Sequence, residues 1–137
     1  MSHYTKVRTA ITDQERLVTA LNELGFRHVE SHSSPTHLYG YQGDRRPEQA
    51  EVVVRRKHIG SASNDLGFHR TDDGTFEAII SGFDRREYDA RWLDKVSQRY
   101  GRLTAIAFAE SHGFDVTAEE TDRRTGEVRL TLRRTTF

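Results

Sequence analysis

The chain has 137 residues, with 21 basic and 21 acidic side chains and no cysteine. The missing thiols exclude disulfides, thiolate metal sites, iron–sulfur ligation and cysteine nucleophiles. A formal net charge of zero removes any global attraction to nucleic acid or an anionic membrane, and it weakens one defence against self-association.

The length suits a single domain over residues 1–137 with a real core. Charged residues reach 31%, yet the apolar residues are clustered and periodic, which argues for a folded chain. The first residues lack the apolar stretch of a signal peptide, and no segment has the length of a membrane span. A cytoplasmic protein that meets no membrane is expected.

In chain order, Tyr4 to Ile11 alternates as a strand. Thr12 and Glu15 have the spacing of a capping box, and Leu17, Val18, Leu21 and Leu24 continue at helical intervals. Gly25 is placed to end that helix in the left-handed conformation. Phe26 to Glu30 reads as a short strand, Ser33-Ser34-Pro35 as a loop and His37 to Tyr41 as another strand. The polar run Gln42 to Gln49 reads as a turn or loop, and β-branched Ala50 to Arg55 as the strongest strand. After a flexible Gly60 to Asn64, two extended runs, Asp65 to Arg70 and Thr75 to Ile80, flank Asp72-Asp73-Gly74, which predicts a hairpin.

A second helix is predicted from Asp89 to His112, with Trp92, Leu93, Val96, Tyr100, Leu103 and Ile106 on its apolar stripe. Gly101 inside it suggests a kink or a close contact. Phe114 to Glu119 and Glu127 to Arg133 form a closing hairpin, whose alternation turns Val128, Leu130 and Leu132 to the core and leaves one sheet face wet. The fold expected is α+β: an antiparallel sheet with two amphipathic helices packed on one face, ferredoxin-like with additional central strands.

The landmarks combine into a pattern. They are the start Met1-Ser2-His3-Tyr4, the segments Leu21 to Phe26, Gly40 to Gly43 and Ala50 to Val54, and the later Asp65-Leu66-Gly67-Phe68, Gly74 to Glu77, Gln98-Arg99-Tyr100 and Gly113 to Val116. In this order the chain resembles the hypothetical chloroplast reading frame thirty-five family, a domain family of unknown function found in cyanobacteria, algal plastids and other bacteria. The resemblance spans nearly the full length and implies no established activity. It does imply a multi-protein assembly, because neighbouring genes often encode a AAA-type ATPase and a small companion protein. The chain departs from the pattern at Ser81-Gly82-Phe83, where a tryptophan is expected, and at the closing Phe137.

His28, His32 and His37 lie close in sequence, but in a strand and loop rather than at helical spacing, so solvated histidines outrank a metal centre. Asp72-Asp73 and Glu119-Glu120 read as turn and strand-end acids rather than acid–base pairs. No nucleophile elbow, phosphate loop or dinucleotide fingerprint occurs, and no cofactor is expected. Basic pairs recur along the chain, but acids are interleaved with them, so a segregated nucleic-acid patch is not favoured.

Three roles remain. The first is a non-enzymatic interaction module that docks a protein partner through a sheet face or edge, with His3, Tyr39, Tyr41, Arg55, Gln98 and Arg99 as surface candidates. The second is single-stranded nucleic-acid or nucleotide binding on the same face, with Tyr39, Tyr41 or Phe68 stacking. The third is a small-molecule enzyme that uses His3 with a carboxylate.

Overall fold

The computed structural model describes residues 3–134. Its elements in chain order are β1 (Tyr4–Arg8), α1 (Gln14–Glu23), β2 (Glu30–Tyr39), β3 (Arg45–Val54), β4 (Leu66–Arg70), β5 (Phe76–Ser81), α2 (Ala90–Ser111), β6 (Phe114–Thr121) and β7 (Val128–Arg134). The architecture is α+β with antiparallel pairing throughout. A five-stranded sheet has the order β1-β5-β4-β3-β2, and β6 pairs only with β7 in a second sheet.

Alternation along the central strands feeds two apolar layers. Val52, Val54, Leu66, Phe68, Ala78 and Ile80 meet Leu17 and Leu21 of α1 and Leu93 and Val96 of α2 on one face. Val53 and Ile79 point to the other face, where Leu38 and Ala50 close over them beside Tyr4. That second face is covered around Val53 and Ile79, whereas Lys6 and Arg8 of β1 and the outward residues of the closing strand, Arg129, Thr131 and Arg133, are exposed. β3 pairs with β4 only over Val52–Val54, and the distal part of the β2–β3 hairpin folds back across the sheet.

Gly67 makes this fold-back feasible. A Cβ there would lie 2.7 Å from that of Ala50 and 3.1 Å from a Leu38 methyl, closer than side chains pack. A glycine inside a strand commonly marks such a backbone approach.

Local chemistry moves several predicted boundaries. Asp13, not Thr12, caps α1, accepting the Arg16 amide at 2.9 Å. The amides of Thr12 and Asp13 donate instead to the Tyr100 hydroxyl, at 3.2 and 3.0 Å. Gly25 has φ +106° as expected, but the chain stays irregular from there until β2 begins at Glu30. β2 then runs through Ser33-Ser34-Pro35, expected as a loop; it is an edge strand with register shifts, where proline is tolerated. Arg45 to Gln49, expected in a loop, belongs to β3.

Ser63 and Asn64, expected in a flexible stretch, are buried. Gly101 makes no close contact and α2 runs unbroken through it. The closing hairpin does not extend the main sheet. It rests on α2, where the Gln98 side chain donates to the Thr125 carbonyl and Arg102 pairs with Glu119. Leu132, expected in the core, stays exposed. Among the described residues, no helix is long and apolar enough to cross a membrane.

Candidate functional site

Three segments distant in sequence meet at one end of the main sheet: the β2–β3 turn, the loop before β4 and the loop after β5. Asp65, only 1% exposed, organises the first two. Its carboxylate accepts the amides of Tyr39 (2.8 Å) and Arg56 (2.7 Å) and the Arg55 guanidinium (2.8 Å). Its amide donates to the Tyr39 carbonyl at 2.9 Å, and its carbonyl accepts the Tyr4 hydroxyl at 2.7 Å. Burial, then the Asp65 charge, pushes the Tyr4 phenol well above its ordinary pKa, so it stays a donor.

Arg55 reaches from Asp65 to Glu30, which it grips at 2.8 and 3.0 Å. That hydrogen bond, opposed by burial and reinforced by His32, holds the Glu30 carboxyl below the usual range. The neighbouring Asn64 joins the third segment. It donates its amide to Asp84 (2.9 Å) and its side-chain nitrogen to Ser81 (2.9 Å), while its oxygen accepts the Tyr41 amide at 2.9 Å. The Ser81 hydroxyl completes the set by donating to Asp84 at 2.7 Å. A satisfied buried polar network of this kind rigidifies what it carries.

It carries rings. Tyr39 and Tyr41 are each 40% exposed and Phe83 is 39% exposed. The Arg55 guanidinium lies 5.8 Å from the Tyr39 ring centre, and that of Arg86 lies 4.1 Å from Phe83. His3 belongs to the same end, since its carbonyl accepts the Gly82 amide at 2.8 Å.

Four predicted surface residues, His3, Tyr39, Tyr41 and Arg55, thus converge. Gln98 and Arg99 do not: Gln98 holds the terminal hairpin, and Arg99 pairs with Glu23 of α1 at 3.3 Å. Phe68 is fully buried and offers no face to a base. The three neighbouring histidines part company. His32 pairs with Glu30 (2.8 Å), His37 meets the Arg46 carbonyl (2.9 Å), and His28 stacks on His58 with ring centres 4.3 Å apart. Asp73 accepts the Thr71 hydroxyl and Thr75 amide within its turn, and Glu119 pairs with Arg102.

Sequence reasoning missed the polar network, because its members are short polar residues in loops that only the fold brings together. One signal was present: Asp65 and Gly67 flank Leu66 in a run where a purely structural strand favours larger apolar residues.

The comparisons with known proteins give a family and no activity. The family model described as "Protein of unknown function (DUF1257)" matches residues 20–131. The chain is similar to "Uncharacterized protein ycf35" of Pyropia yezoensis, 26% identical over 137 residues covering 98% of both chains. It is similar to the protein of the same name in Cyanophora paradoxa, 24% identical over 135 residues with the same coverage. No solved structure gives a significant match.

Proposed function

Because the chain belongs to the DUF1257 family of proteins of unknown function, we propose its role from geometry: a non-enzymatic module that docks a protein partner through the sheet-end surface of Tyr39, Tyr41 and Phe83. The observation that carries this reading is that three exposed rings, two from the β2–β3 turn and one from the loop after β5, rest on one buried hydrogen-bond network. Rings held rigid before binding lose little entropy on docking, and aromatic side chains with arginine dominate interface energetics. The acids beneath them are committed to amides, hydroxyls and Arg55, which suits a scaffold better than proton transfer.

Arg86 beside Phe83 favours a partner segment that combines acidic and apolar side chains. A AAA-type ATPase and a small companion protein, which the family resemblance implies as partners, are the first to test. A cysteine-free chain needs no oxidising compartment, and we place the encounter in the cytoplasm.

The test is purification of the tagged chain from its host with and without nuclease. A stoichiometric protein that survives nuclease and is lost in the Tyr41→Ala/Phe83→Ala double variant supports docking. Recovery that depends on nucleic acid, or a partner indifferent to the double variant, overturns it.

A further inference from the structure

A concavity lies on the helical side, between the C-terminal end of α1 and the start of α2. It has a volume of about 640 Å³, within the range of about 300–1,000 Å³ typical of small-molecule sites. Its apolar wall is an aromatic triad. Phe26 meets Trp92 edge-on at 5.8 Å and Tyr88 at 5.9 Å, and Tyr88 meets Trp92 edge-on at 5.0 Å. Trp92 is half-buried, so part of the indole remains presented to the groove.

The rim is cationic. Arg27, Arg91 and Lys95 line the groove, and among the described residues none of their three side chains has an ion pair or hydrogen bond. This contrasts with Arg16, Arg55, Arg99 and Arg102, each of which has a carboxylate partner. The lining acids are Glu87 and Asp89, and Asp89 is already engaged in capping α2 through the Trp92 amide at 3.1 Å. The helix terminus is thus filled by its own cap, and attraction for an anion falls to the side-chain cations.

We infer that this groove binds a small planar anion of the nucleoside monophosphate type, with its ring against Trp92 and its phosphate between Arg27, Arg91 and Lys95. Arginine forks match phosphate oxygens, and lysine adds a mobile point charge. Stacking on an indole tolerates any base, so the class of ligand is set by planarity and charge together. The site is separate from the sheet-end surface and does not depend on the docking reading.

Trp92 is the only tryptophan of the chain, so its fluorescence reports on the groove directly. The full-length protein is titrated with adenosine monophosphate, adenosine, inorganic phosphate and a single-stranded thymidine homopolymer. Adenosine monophosphate should quench Trp92 saturably below about 1 mM, the weak end of specific affinities. Adenosine and phosphate alone should each bind at least about tenfold more weakly, since each lacks half of the contacts. The Arg27→Glu/Lys95→Glu variant should lose at least about tenfold in affinity for the monophosphate. If that variant fails to fold, Lys95→Gln with a salt titration of the native protein replaces it, and affinity should fall in both. Absence of saturation, equal binding of adenosine, indifference to the charge changes, or binding of the homopolymer alone overturns the assignment.

Discussion

Tyr39 and Asp65 are joined twice: the Asp65 carboxylate accepts the Tyr39 amide at 2.8 Å, and the Asp65 amide donates to the Tyr39 carbonyl at 2.9 Å. This reciprocal pair fastens the tip of the β2–β3 hairpin to the sheet and fixes where Tyr39 and Tyr41 emerge. It also explains why a carboxylate can be buried here, because each of its oxygens faces an amide or a guanidinium.

Asp65→Ala leaves Arg55 without its buried partner and two amides without acceptors. Arg55 keeps Glu30, but each buried amide left without an acceptor costs about 1–3 kcal/mol. Urea denaturation should show that loss as a lower midpoint. The amides of Tyr39 and Tyr41 should also exchange faster in the variant at denaturant concentrations where the rest of the sheet is intact.

Gly67→Ala drives a methyl into Ala50 and Leu38. Overpacking of this kind costs about 1–3 kcal/mol. Replacing Ala50 by glycine removes the closest contact, so the double variant Ala50→Gly/Gly67→Ala should be more stable than the sum of the two single changes predicts. A double-mutant cycle by thermal or chemical denaturation measures the coupling.

Acid stability should carry the signature of Glu30. Its folded pKa is depressed, first by the Arg55 hydrogen bond, so the stabilisation is present above the unfolded glutamate value near about 4.3 and disappears as pH falls through the lower folded value. Glu30→Gln should therefore flatten that part of the stability–pH curve. His58 acts in a different window. Partial desolvation, then His28 and Lys57, lower its pKa, so the unfolded chain takes up a proton first and stability declines as pH drops below about 6.5. His58→Gln should remove that upper limb and leave the lower one.

The terminal hairpin pairs only with itself, and most of its residues are exposed. A two-stranded sheet alone is marginal, so β6 and β7 amides should exchange well before those of β4 and β5. Phe108, 61% exposed near the end of α2, should tolerate alanine at a cost under about 0.5 kcal/mol. Phe68→Ala in the core should cost about 3–5 kcal/mol.

The sequence carried the elements whose chemistry is local. The helical spacing of Leu17 and Leu21, the stripe from Trp92 to Val96, and the turns at Gly25 and Gly74 all read correctly, since apolar period and positive φ are properties of short segments. Ser33-Ser34-Pro35 and Arg45 to Gln49 did not read as strands. They form a bent, largely wet edge hairpin, held by backbone pairing that leaves no hydrophobic period.

The closing strand shows a different limit. Its alternation identifies an apolar face but cannot say that α2, rather than the main sheet, receives it. At the candidate site, exposed tyrosines and Arg55 were recognisable as surface types. Asn64, Asp65, Ser81 and Asp84 gain their meaning only from loops brought together by β4 and β5. The groove has the same origin, being assembled from Phe26, His58, Tyr88 and Trp92 in separate segments.

The most direct measurement of the docking surface is a photocrosslinking residue placed at Tyr41 in the full chain, irradiated in the host, with the same residue at Thr117 of β6 as control. Both positions are exposed, but only Tyr41 is tied to the buried network. The account predicts one discrete protein adduct from Tyr41, lost when Phe83 is changed to alanine, and none from Thr117. Equal adducts from both positions, or a Tyr41 adduct to nucleic acid alone, would contradict it.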